Sequence, residues 1–182
     1  MIGRTYKTEA IILARRNIGE ADRILIIFSK HYGKLHVIAK GVRRLTSRKR
    51  GSLELFNNVV LFLAKGKTFD IITETEIKNN FKDWRKDLLK VGIAYHLAEV
   101  VNKLTREGQE HRKVYELLLN AFSELHQVDY WGLHYFTSEF KSQVLQELGF
   151  LPRGHKKTDL DSYIEELTQS KLRTKRFLKS LS

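Results

Sequence analysis

The chain has 182 residues, no cysteine, and 33 Lys and Arg against 21 Asp and Glu, a net charge of +12. That length is enough for a buried core in one large domain or two small ones, and the missing thiol excludes disulfides, thiolate catalysis and Cys-based zinc. No apolar stretch approaches the roughly 20 residues of a membrane span, and Met1 to Tyr6 lacks the apolar centre of a signal peptide, so a soluble, cytoplasmic protein with no membrane partner is expected.

The first 79 residues read as strands. Tyr6 to Leu13 is rich in Thr and β-branched residues, and Arg23 to Phe28 is nearly all aliphatic. Lys34 to Lys40 places Leu35, Val37 and Ala39 on one face. Leu53 to Leu63 is long and mostly apolar and reads as a fourth strand. In Phe69 to Lys78, Phe69, Ile71, Thr73, Thr75 and Ile77 alternate with Asp70, Ile72, Glu74, Glu76 and Lys78. Such period-two alternation marks a strand with one buried face. Tyr32-Gly33 and Lys65-Gly66-Lys67 supply turns. Five strands in so short a stretch leave no room for helical crossovers, and barrel closure removes their exposed edges. A five-stranded OB-fold barrel over 1–79 is the expectation. A small barrel of the SH3 type satisfies the same pattern, because strand order is not written in one sequence.

The period changes after Asn80. Leu88, Leu89, Ile93, Leu97, Val100, Val101 and Leu104 form a helical stripe. Val114, Leu117, Leu118, Ala121, Phe122 and Leu125 form a second, and Leu133, Phe136, Phe140, Val144 and Leu148 a third. Asp129 stands where an N-cap is expected, and Gly149 with Pro152 where a helix stops. Asp159 to Gln169 reads as one more helix, and Lys171 to Ser182 as a basic tail carrying Leu172, Phe177, Leu178 and Leu181. The whole is α+β: a barrel, then a helical domain over 80–182.

Charge is unevenly spread. Residues 1–79 hold 16 Lys and Arg against 7 Asp and Glu, whereas residues 80–182 hold 17 against 14. The densest run is Lys40-Gly41-Val42-Arg43-Arg44-Leu45-Thr46-Ser47-Arg48-Lys49-Arg50-Gly51, with six cations and no acid. Lys and Arg on phosphates release condensed counterions, so this run points to nucleic acid, against the plainer reading of a solvated loop or disordered linker. Lys34, Lys40, Arg43, Arg44, Arg48, Lys49 and Arg50 are the expected contact residues, with Arg15, Arg16 and Arg23 in support. Of the aromatic residues in this half, Tyr32 is the one expected to be exposed for base stacking. Glu20 and Asp22 are expected to be structural. An RNA-binding or ribosome-associated barrel accounts for the charge equally well.

The sequence offers no positive case for catalysis. Gly66-Lys67-Thr68 lacks the earlier Gly and the following helix of a phosphate-binding loop and reads as a hairpin turn. The seven histidines are scattered without metal-ligand spacing, so no metal is expected. The pair Asp159 and Asp161 is better explained as a helix start than as a two-metal site.

Glu9-Ala10-Ile11-Ile12-Leu13, Gly19-Glu20-Ala21-Asp22-Arg23-Ile24, His31-Tyr32-Gly33-Lys34-Leu35 and Ala39-Lys40-Gly41-Val42-Arg43-Arg44 together resemble the N-terminal domain of the RecO family of recombination mediators. Leu53-Glu54-Leu55-Phe56, Asp70-Ile71-Ile72-Thr73-Glu74, Leu148-Gly149-Phe150-Leu151-Pro152 and Lys175-Arg176-Phe177-Leu178 extend the resemblance to nearly the whole chain. The resemblance implies an OB-fold followed by helices and no enzymatic active site. It implies a bacterial, nucleoid-associated protein that binds single- and double-stranded DNA and anneals complementary strands. It further implies action with RecR to load the RecA recombinase onto DNA coated by single-strand-binding protein. The acidic tail of that protein would dock on the helical domain in an apolar pocket rimmed by cations. Lys103, Arg106, Arg112, Lys113 and Lys141 are rim candidates, weighed against a solvated helix face for each. Many family members carry a Cys-rich zinc site after the Leu-Gly-Phe-x-Pro segment. This chain has no Cys and a shorter stretch there, so zinc is not carried over and no cofactor is expected.

Overall fold

A computed structural model describes residues 5–155 and 157–176. The segment Met1 to Arg4 and the tail residues Phe177, Leu178 and Leu181 lie outside the described residues. Five strands, β1 (Thr5–Ile18), β2 (Asp22–Ser29), β3 (Gly33–Ala39), β4 (Asn58–Ala64) and β5 (Asp70–Asn79), form a closed barrel in the order β1-β2-β3-β5-β4. Neighbours are antiparallel except β3 and β5, which meet in parallel at Val37–Asp70 and Ile38–Ile71. This is the arrangement of an OB-fold. Closure depends on the length of β1. It pairs with β4 through Thr5–Ile11 and with β2 through Ala10–Ile18, and a bulge between Ile12 and Ala14 lets it bend from one to the other.

The barrel interior is aliphatic: Ala10, Ile12, Leu25, Ile27, Val37, Ala39, Leu61, Leu63 and Ile72 are buried, joined by Val42 and Leu53 from the connection between β3 and β4. That connection corrects the strand expected over Leu53–Leu63, because β4 begins only at Asn58. Leu53 is apolar because it packs into the barrel core, and Phe56 is buried as well; neither pairs in a strand. The Phe56 N–H donates to Ile12 O, Phe56 has φ 70°, and the Asn57 side-chain amide holds the carbonyls of Gly51 and Ser52. In β5, neither alternating set forms a continuous buried face. A register shift opposite Phe62 and Leu63 leaves Thr73 as an extra residue, so Ile72 alone is fully inward and Ile77 is exposed.

The α-helices among the described residues are α1 (Leu88–Leu104), α2 (Arg112–Glu124), α3 (Leu133–Glu147) and α4 (Leu160–Thr168). Two compact units result, one running through Asn80 and including Glu107–Glu110, the other holding Phe81–Arg106 and the residues from His111 onward. No helix is long and apolar enough to cross a membrane among the described residues. In the helical unit, Trp84 packs against Phe81 and Phe122, and its indole N–H donates to Phe122 O at 2.8 Å. Asp87 caps α1 by accepting from the N–H groups of Leu89 and Lys90, and Leu88 at the head of the stripe is exposed. Asp129 is not the N-cap of α3. It accepts from Gly132 N–H and closes the preceding turn, and Gly132 holds the cap position. Gly149 ends α3 as its composition suggests: φ is +79°, Gly149 N–H donates to Gln146 O, and Phe150 N–H donates to Leu145 O. Asp159 caps α4 through Ser162 N–H.

Candidate nucleic-acid interface

The basic run is neither a strand nor a loose linker. Lys40 to Asn57 is a chain of turns stitched to the barrel. Gly41 N–H donates to Asp22 Oδ1 at 2.7 Å, Arg43 N–H to Ala21 O at 2.9 Å, and the Arg43 guanidinium to Gly19 O at 3.0 Å. The Lys49 ammonium reaches Ile72 O at 3.1 Å. With Val42 and Leu53 buried as plugs at either side, the charged residues between them have little choice but to face outward.

The cations fall into three groups. At one end of the barrel Arg15 and Arg23 share the carboxylate of Glu54. Arg23 also donates to Asn17 Oδ1 at 3.1 Å. Its partial burial, then repulsion from Arg15, lowers the pKa of its guanidinium, against the pull of Glu54 and with further repulsion from Arg43 and Arg50. Two arginines on one carboxylate, with Arg43 and Arg50 close enough to repel Arg23, leave a strongly positive surface. Arg23 is its buttress, and the exposed Arg15 and Arg50 are its accessible members.

A second group lines a cleft of about 490 Å³, where Arg44, Arg48 and Lys49 stand with the hydroxyl residues Thr46, Ser47, Thr73 and Thr75 and with Glu74. Hydroxyls and guanidiniums together are suited to phosphate oxygens. Beside them Leu45 projects with 92% of its surface exposed, and Lys40 is exposed at the start of the loop.

The third group is on the outer face of β1, β2 and β3. Arg15 and Arg16 line a small hollow with Ala14, Ile24, Ile26, His36 and Phe69. The His36 and Phe69 rings lie 6.4 Å apart and tilted by 38°. An aromatic floor beside an arginine has the chemistry suited to stacking a base.

Two expected contacts are placed differently. Lys34 is half-buried, and burial lowers its ammonium pKa while Glu107 opposes the shift. The segment Glu107–Glu110 is laid along β3: Gly108 N–H donates to Lys34 O, and Glu107 meets His36 Nδ1 at 3.0 Å. A Cβ on Gly33 would come within 1.9 Å of Gln109 O, which is why glycine stands there. Tyr32 is exposed as expected, but its ring is set edge-on against Tyr6 at 4.9 Å, away from the arginine groups. Gly66-Lys67-Thr68 is part of a turn, held by Gly66 N–H and the Lys65 ammonium on Asp70.

The rim candidates of the helical unit do not assemble. Lys141 is buried, with its ammonium 2.6 Å from Asp161 Oδ1, which corrects its assignment to a surface rim. Burial drives the Asp161 carboxyl upward, but its contacts with His96 and Lys141 outweigh this and hold it well below the ordinary range. Lys103 is taken by Ser170 and Glu99, Arg112 by Glu116 and Lys113 by Glu147. Arg106 is exposed. His36, Phe69, the four hydroxyl residues and Leu45 were not singled out from sequence as contacts. Only the aromatic residue count of the first half pointed toward one of them.

Two family models match the chain: "Recombination protein O N terminal" over residues 1–81 and "Recombination protein O C terminal" over residues 85–174. The DNA repair protein RecO of Roseiflexus sp. (strain RS-1) is 33% identical over 168 residues, covering 92% of this chain and 58% of that protein. The DNA repair protein RecO of Thermoanaerobacter sp. (strain X514) is 34% identical over 152 residues, covering 82% and 60%. The chain thus spans somewhat over half the length of these curated relatives. With both family models matched in chain order, on a closed barrel followed by helices, the chain belongs to the RecO family.

Proposed function

We propose that this chain is a DNA-repair mediator that acts by binding DNA rather than by catalysis. The carrying observation is the grouping of Arg15 and Arg23 on the carboxylate of Glu54, with Arg43 and Arg50 near enough to repel Arg23, together with the hydroxyl-lined cleft of Arg44, Arg48 and Lys49. These groups address phosphate, which single strands and duplexes share. The His36–Phe69 hollow addresses unstacked bases, which only single strands offer. A surface that holds backbone without demanding sequence can bring two complementary strands together while leaving base edges available to pair.

Family membership extends the reading to cooperation with RecR, to docking of the acidic tail of single-strand-binding protein, and indirectly to loading of RecA. The test is annealing of complementary oligonucleotides with and without Mg²⁺. Metal-independent acceleration of annealing supports the reading. Metal-dependent cleavage, or binding confined to RNA, contradicts it.

A further inference from the structure

A groove of the helical unit has the wrong charge for DNA and for an acidic tail. It runs between α2 and α3 and encloses about 610 Å³. Its floor is apolar, built from Leu117, Ala121, Phe136 and Phe140. Its polar border includes Glu124, Asp129 and Glu139, and no Lys or Arg lines it among the described residues. Glu139 accepts from Gln143 and Asp129 from Gly132 N–H, and none of the three carboxylates is in an ion pair among the described residues. In a chain of net charge +12, a border of three carboxylates without a cation is a marked local reversal. Tyr135, 73% exposed, lines the groove. Next in sequence to its Gly132 end stand Trp131, 87% exposed, and Tyr130. Exposed aromatic residues beside an apolar floor are the composition of a protein contact.

We propose that this groove docks a cationic amphipathic helix of a partner protein. Two parallel ridges of helix side chains accept a third helix between them, its apolar stripe on the floor and its Lys or Arg residues on the carboxylate border. Nucleic acid and acidic peptides are repelled by the same border. The inference does not rest on the DNA-binding reading, which concerns the other unit.

The probe is a synthetic helix of about 14 residues (~21 Å at the helical rise) made of Leu and Lys, with a Leu and Glu peptide of identical apolar pattern as counterpart. Trp131 fluorescence reports occupancy, because the chain's other tryptophan, Trp84, is buried. The Leu/Lys peptide should shift Trp131 emission, bind less tightly as salt screens the border, and lose about tenfold in affinity for Glu124→Lys/Glu139→Lys. Tyr135→Ala should weaken it as well, with unchanged thermal melting in both variants. Equal Leu/Lys affinity for the wild type and the charge-reversed protein overturns the proposal, as does a Trp131 shift from the Leu/Glu peptide. Sedimentation showing a dimer that Tyr135→Ala disperses also overturns it, by assigning the groove to a second copy of this chain.

Discussion

Asp22 Oδ1 accepts a 2.7 Å hydrogen bond from the backbone N–H of Gly41, tying the first turn of the basic loop to the first residue of β2. The acidic residue inside the Gly19-Glu20-Ala21-Asp22-Arg23 segment therefore holds the cationic loop in place without itself facing phosphate. Asp22→Ala should cost about 1 kcal/mol, the worth of a partly buried hydrogen bond with one partner removed. Urea unfolding measures this. The salt dependence of DNA binding should be unchanged, since no cation is lost. A variant of full stability with altered salt dependence would place Asp22 in the binding surface instead.

Phe69 is the residue expected to distinguish single strands from duplex. Its ring lines the hollow with Arg16 and His36, where an unstacked base can lie. Phe69→Ala should weaken binding of single strands by about 1–3 kcal/mol and leave a duplex of the same length nearly unaffected. Anisotropy titrations with the two ligands measure the difference. Equal losses for both would remove the hollow from base stacking.

Lys141 is buried and its largely enclosed partner Asp161 holds its ammonium at 2.6 Å, so removing one member strands the other. Lys141→Ala should cost about 3–5 kcal/mol, because Asp161 loses its 2.6 Å ammonium partner and keeps the His96 imidazole, Nε2 at 3.6 Å, as a neighbour. Replacing both by apolar residues, Lys141→Met with Asp161→Leu, should recover much of that. Denaturation midpoints of the single and double variants decide it. A single variant as stable as the wild type would mean that the pair is better hydrated than its burial indicates.

The same carboxyl predicts an acid sensitivity. Its folded-state pKa lies well below the ordinary carboxylate value of about 4. The stabilisation is therefore full above about pH 4 and is lost as pH falls below that toward the depressed folded value. Asp161→Asn should flatten the decline of stability in this acid window while lowering stability at neutral pH. An unchanged acid slope in the variant would show that other carboxylates dominate it.

The strands that alternate cleanly were legible because burial in a barrel imposes period two. The misreadings come where apolarity has another cause. Leu53 and Phe56 look like strand residues but are buried from a loop, and a loop has no period. The bulge at Thr73 switches the inward face of β5, and one extra residue leaves no compositional mark. Lys141 occupies an α3 position indistinguishable by type from a surface lysine, and its partner Asp161 is 20 residues away on another helix. The basic loop was visible as a charge run. Its division into an end cluster around Glu54 and a hydroxyl-lined cleft depends on contacts with β1, β2 and β5 that sequence proximity does not reveal. The acidic groove was missed for the same reason: Glu124, Asp129 and Glu139 are separated along the chain and meet only when α2 packs on α3.

Loop cations that neutralise DNA phosphates must show in the salt dependence of binding. If about six phosphates are neutralised, the slope of log K against log salt should be roughly −5 for duplex and −4 for single strands. Arg43 belongs to the end cluster and Arg44 lines the cleft, so Arg43→Ala/Arg44→Ala takes one cation from each. The slope should flatten by about one to two units with the melting temperature essentially retained. A folded double variant whose slope equals that of the wild type would contradict phosphate neutralisation by these cations.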